Sequence, residues 1–277
     1  MKRKYLYIFI FLFLILSSGI SKSQIPEKDI STKLEELFDE LVGNYDDSLR
    51  ISINDSIRLI IDGYVRSDSV FTHRFTNLRY LGQIISPDSL MKIVTWNLVL
   101  ENQPGKYFCY FVRKQDHGRS NQIYILSTIY NEKSVRTDTT YNVSDWYGAL
   151  YYDLRPVVLD NNRIWVMLGV DYGNPVISRK IIEVLSFKPD GSLVLGKKWF
   201  DSGKELSFRA VFEYASNAMM SLRFKSDNSI VFDHLAPFSP SKKDNHEFYG
   251  PDYSFDAYNY KDGIWKLVIN VDVRNQE

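Results

Sequence analysis

The sequence predicts a mainly β protein: an antiparallel meander that closes as a barrel or sandwich, behind a short N-terminal helical segment. Three observations carry this expectation. From about Leu81 onward, apolar runs of strand length alternate with turn-forming residues. Five Trp, 19 Tyr and 17 Phe supply the bulky rings that pack well on a pleated surface. Helical periodicity, by contrast, is confined to the first 66 residues.

Taken in order, residues 1–23 read as a signal peptide. Lys2, Arg3 and Lys4 precede an apolar run from Tyr5 to Leu16, and Ser21-Lys22-Ser23 precede Gln24. The unbroken run is 12 residues, whereas a spanning helix needs about 20, so the expectation is cleavage after Ser23 with no membrane span left behind. No cysteine follows the apolar run to carry a lipid. Cleavage removes four cations, turning 34 basic against 34 acidic residues into 30 against 34. Such a mildly acidic chain has no electrostatic footprint for nucleic acid. A lone cysteine, Cys109, makes no internal disulfide and sits among aromatic residues as a small core side chain.

Residues 24–78 form the helical lead-in. Leu34, Leu37, Phe38, Leu41 and Val42 fall on one helical face, with Thr32 and Glu35 spaced as a capping box and Gly43 as a stop. A second helix is expected over 55–66, with Ile57, Ile60, Ile61, Tyr64 and Val65 on one side and Gly63 as a weak point.

Residues 79–277 form the β domain. Turns are expected at Ser86-Pro87-Asp88, Gln103-Pro104-Gly105, Asp160-Asn161-Asn162, Pro189-Asp190-Gly191, Ser226-Asp227-Asn228 and Lys261-Asp262-Gly263. Short connections demand antiparallel neighbours. Asp190, Asp227 and Asp262 lie 37 and 35 residues apart, a hint of a β-propeller-like alternative, although no blade signature recurs.

Several segments together resemble an uncharacterised family of exported bacterial β-rich proteins: IISPDSLMKIVTWN, WYGALYYDLRPV, SRKIIEVLSF, FRAVFEYA, VFDHLAP, FYGPDYSFDAY and VDVRN. The resemblance spans most of the chain after the lead-in. It implies export and a β-rich body, and it carries no activity, cofactor or catalytic residue.

Candidate site residues concentrate in 229–260. Asp233 and His234 are the ingredients of acid–base chemistry, yet neighbours in a strand point to opposite faces. His234 therefore joins Ile230 and Phe232 while Asp233 joins Val231, and a dyad between them requires a bulge. Asp252 and Asp256 share a face, about 13 Å apart in a straight strand, too far for a glycosidase pair or a shared calcium ion. Phe248 and Tyr249, ahead of Gly250-Pro251, place rings beside a long loop containing Pro237 and Pro240, and Trp146 and Tyr147 form a second aromatic pair before a strand. The four histidines, His73, His117, His234 and His246, show no metal-ligand spacing, no phosphate-binding glycine loop occurs, and no serine elbow is present.

These readings converge on an exported envelope protein, placed in the periplasm ahead of the cell exterior. It is a non-catalytic binding or structural β module that takes an envelope protein or a glycan and needs no cofactor. The candidate contacts are Trp146, Tyr147, Asp233, His234, Phe248, Tyr249, Asp252 and Asp256. The alternative is a periplasmic hydrolase acting on glycan or peptide through Asp and His groups.

Overall fold

A computed structural model describes residues 27–115, 119–159 and 162–273. The expected signal peptide, His117, the Asp160-Asn161 turn and the last four residues lie outside the described residues. Among the described residues, two α-helices, α1 (Glu27–Gly43) and α2 (Asp47–Val65), precede fifteen strands. These are β1 (Gly82–Ile85), β2 (Met91–Leu98), β3 (Lys106–Arg113), β4 (Gln122–Ile129), β5 (Leu150–Leu159), β6 (Asn162–Asp171) and β7 (Ile177–Phe187), then the short strands β8 (Leu193–Leu195), β9 (Phe200–Asp201) and β10 (Leu206–Ser207), and finally β11 (Ala210–Ala215), β12 (Leu222–Ser226), β13 (Ser229–Pro237), β14 (Tyr249–Lys261) and β15 (Ile264–Val268).

Both helices start earlier than their periodicity suggests. Thr32, expected as a cap, lies inside α1. The start of α2 is set by Asp46, whose extended backbone and carboxylate, accepting from the Leu49 N–H at 2.8 Å, satisfy a first-turn donor. Leu34, Leu37, Phe38 and Leu41 of α1 pack with Ile53, Ile57, Ile61 and Tyr64 of α2, at the i, i+3, i+4 spacing of a core-facing stripe.

The meander breaks into three sheets. Sheet one runs β1-β2-β3-β4. Sheet two runs β11-β7-β6-β5, with β8 extending from β7. Sheet three runs β10-β9-β15-β14-β13-β12. Neighbours are antiparallel apart from a two-residue parallel pairing of β15 with β9. The Leu206–Ala215 run, which reads as one strand, splits: β10 joins sheet three and β11 joins sheet two.

Alternation along each strand then stacks the layers. Val94, Trp96, Phe108, Tyr110 and Val112 of sheet one face the helices, whereas Ile93, Tyr107, Cys109 and Phe111 face Trp165, Met167, Ile181 and Leu185 of sheet two. The opposite face of sheet two, Ile164, Val166, Leu168, Ile182 and Val184, packs on Phe200, Ile230, Phe232, Tyr258 and Trp265 of sheet three. The result is a four-layer sandwich of helices and three sheets. The lead-in is therefore its outer layer, joined to sheet one by a shared core and by the Trp96 indole donating to the Asn54 side chain at 2.9 Å.

Lys92 completes that joint. It is fully buried on β2, and its ammonium donates to the Tyr64 hydroxyl, to the Val70 carbonyl at 2.6 Å and to the His73 carbonyl at 2.8 Å. Three donors thus meet three acceptors at and just beyond the end of α2. Burial, reinforced by Arg74, pulls this ammonium from its ordinary 10.5 down to about 8. Between those values the unfolded chain binds the proton more tightly than the folded one, so the contribution of Lys92 to stability rises with pH across that window. Lys92→Met removes the ammonium from all three oxygens and leaves the Val70 and His73 carbonyls only the Tyr64 hydroxyl as donor, which is expected to cost about 3 kcal/mol near neutral pH, with the deficit widening between about pH 8 and about pH 10. Chemical denaturation of both proteins across this range measures it, and a deficit that stays constant or shrinks contradicts the assignment.

Candidate functional site

The long connection between β13 and β14 and the first half of β14 bring the expected site residues together. From Ser229 to Asp233 the two strands keep one-to-one register, Phe232 opposite Asp256 and Asp233 opposite Phe255. Pairing resumes with Leu235 opposite Pro251. Asp252, Tyr253 and Ser254 therefore stand against His234 alone, a bulge that lifts three residues out of the pleat. The Asp252 carboxylate clamps it, accepting from the Ser254 N–H at 3.0 Å and the Ser254 hydroxyl at 2.7 Å, an Asx turn. Those two donors hold the Asp252 carboxyl below its usual range, so it stays ionised.

At the apex, Tyr253 has φ +71° and is 96% exposed. Left-handed backbone is uncommon for a bulky residue and costs about 1–2 kcal/mol. The ring returns nothing by burial. Phe238, 62% exposed, lies against the start of β14: a Cβ built on Gly250, three residues before Tyr253, would fall 2.6 Å from the Phe238 ring and 3.5 Å from Ala218. Gly250 thus lets the Phe238 ring lie against the β14 backbone.

At the base of the bulge, His234 Nδ1 meets Asp256 Oδ2 at 2.7 Å. As alternation predicts, His234 shares the face of Phe232, and Asp256 reaches it diagonally from the neighbouring strand. Asp256 is buried, its other oxygen accepting from the Asn270 N–H at 3.0 Å. In the neutral tautomer that directs Nδ1–H at the carboxylate, Nε2 is left as an acceptor. The straight-strand separation of Asp252 and Asp256 does not apply, because the bulge lies between them. The sequence signal for it was present in the Asp-x-Ser of 252–254, a side-chain turn signature placed inside an otherwise alternating strand.

Other expected site residues have structural work. The Asp233 carboxylate accepts from the Ser221 N–H at 2.7 Å and tethers the approach to β12. Trp146, a candidate contact, is buried in the core between sheets one and two, its indole donating to the Tyr151 hydroxyl at 3.1 Å. Tyr147 donates to the fully buried Glu183 at 2.9 Å, where Arg209 Nε also donates at 2.7 Å. Burial pushes the Glu183 carboxyl up, with Arg209 opposing. These two rings face inward because the chain they occupy closes over sheet two. Phe248 lies under the Lys242 ammonium, 3.8 Å from its ring centre, and Tyr249 packs on the core between sheets two and three.

His246, which carried no signal in the sequence, docks the long loop. Its Nδ1 lies 2.9 Å from Glu213 of β11. Glu213 also accepts from Arg179 at 2.7 Å, Arg179 donates to Asp171 at 3.0 Å, and Tyr107 of sheet one donates to Asp171 at 2.6 Å. Burial raises the Glu213 carboxyl, but the hydrogen bonds from Arg179 and His246 outweigh it and hold the group below its usual range. No group of three or more His, Cys, Asp or Glu among the described residues is placed to hold a metal ion. Two surface hollows lie elsewhere: one of about 220 Å³ beside Phe38 and Arg79, and one of about 460 Å³ beside Tyr141 and Leu193.

Comparison with family models, curated proteins and solved structures finds no match to this chain. The bulge is therefore the candidate site. Because Tyr253 contributes strain and no packing, Tyr253→Gly is expected to raise stability by about 0.5–1 kcal/mol. Thermal unfolding measures this, and a destabilised variant would show that the ring supports the fold.

Proposed function

We propose that the chain is an exported, non-catalytic binding module of the bacterial envelope that engages its partner through the β14 bulge. The observation that carries this reading is Tyr253: a bulky ring held fully exposed in left-handed backbone, at a folding cost that no contact offsets. A second exposed ring, Phe238, lies against Gly250 at the start of the same strand. Export is supported by the three-part amino terminus and by the resemblance to exported β-rich proteins. Among the described residues, no helix is long and apolar enough to cross a membrane.

In the expressing bacterium, the chain is expected to begin at Gln24 in the envelope fraction. A photoreactive phenylalanine at position 253 should yield a covalent adduct on illumination, whereas the same group at Leu59, exposed on the opposite outer layer, should yield none. Adducts at neither position, or equally at both, would end this reading.

A second reading, a hydrolase acting on glycan or peptide, is favoured by the His234–Asp256 pair, whose geometry is that of an oriented general base. Under it, hydrolysis of oligosaccharide or peptide substrates falls by about a hundredfold or more in Asp256→Asn, while Tyr253→Gly changes turnover little. Absence of turnover by the wild-type chain removes it.

A further inference from the structure

The groups that face outward at the bulge are chemically selective. Tyr253 offers both faces of an aromatic ring. Beside it, one Asp252 oxygen is committed to Ser254, which leaves the second to accept. His234 has its Nδ1 on Asp256 and presents Nε2 from a side chain that is 36% exposed. One flat apolar surface is thus flanked by hydrogen-bond acceptors. That combination complements a ligand with an apolar ring face and a periphery of hydroxyl donors.

Peptide occupants fit less well. The ring is 96% exposed, so it offers open surface and not an enclosed pocket that would desolvate an apolar side chain. Strand addition is closed off as well. β15 pairs β14 only over Ala257–Lys261, and the stretch before it carries Pro251, which lacks an N–H, followed by three residues outside the pleat. An extended peptide finds no continuous edge there.

We propose that the bulge is a carbohydrate subsite, in which Tyr253 stacks on the C–H face of a pyranose while Asp252 and His234 Nε2 accept its hydroxyl hydrogens. The inference rests on the binding reading above and names the chemical class of its ligand. Phe238, seated on Gly250, extends the apolar surface toward a neighbouring sugar unit. Binding is weak and set by stacking, because a single exposed ring with a few acceptors buries little of the ligand.

The test uses the mature chain, residues 24–277, on an array of immobilised neutral hexose and N-acetylhexosamine oligosaccharides, with saturation-transfer NMR on those retained. At least one oligosaccharide should be retained, with saturation reaching its ring C–H protons. Tyr253→Ala should weaken it roughly tenfold or more, Tyr253→Trp should preserve or strengthen it, and Asp252→Asn should weaken it at unchanged thermal stability. No retention of the wild-type chain, or retention unaffected by Tyr253→Ala, overturns the carbohydrate subsite. If no sugar is retained while the position-253 crosslink captures an envelope protein, the carbohydrate assignment falls and the binding reading stands. If the crosslink also fails, both fall.

Discussion

Everything in this structure depends on sheet two being apolar on both faces. β6 reads Ile164, Trp165, Val166, Met167, Leu168, and successive side chains enter the two neighbouring cores in turn. Each such side chain contributes about 1.5–3 kcal/mol when buried, but only if both neighbouring sheets are in place. Sheet one is likewise covered on both sides, with the helices as its outer layer. The order of layers follows from this need: a two-sided apolar sheet must be central, and the more polar surfaces end up outside.

The charged groups Arg179, Asp171, Glu183 and Arg209 are tolerated inside the stack because each is paired. Arg209, fully buried, donates to Glu183 and to the Thr139 and Leu195 carbonyls, tying the chain before β5 to sheet two. Breaking such a pair strands a buried charge, which is far costlier than the pair is stabilising. The Tyr107–Asp171–Arg179–Glu213–His246 chain does the same across sheets one and two and out to the long loop. These networks fix which strands face one another where apolar contact alone would be permissive.

Much of the fold was legible in the sequence. Alternation and turn residues give the strands, and the turns at Pro189-Asp190-Gly191 and Lys261-Asp262-Gly263 fall between β7 and β8 and between β14 and β15. The division into sheets was less visible, because the choice of partner for β11 depends on contacts far along the chain. One clue lay in the unbroken apolar run of β6, Ile164 to Val170, which marks a strand buried on both faces. For the site, alternation placed His234 beside Phe232 correctly, but its meeting with Asp256 depends on register across two strands. Trp146 and Phe248 illustrate the converse: an aromatic residue next to a loop carries no local sign of whether the loop folds over it.

The bulge has a consequence for how such a surface varies. It holds two residues more than the pairing needs, three opposite one, and this excess is even. Both flanking segments of β14 therefore keep the same side chains toward the core. Inserting or deleting residues there in pairs preserves the parity of the strand, whereas a change of one would turn Ala257 and Tyr258 inside out. The molecule thus carries a module of adjustable length in the middle of a fixed sheet, with its permitted sizes quantised in steps of two.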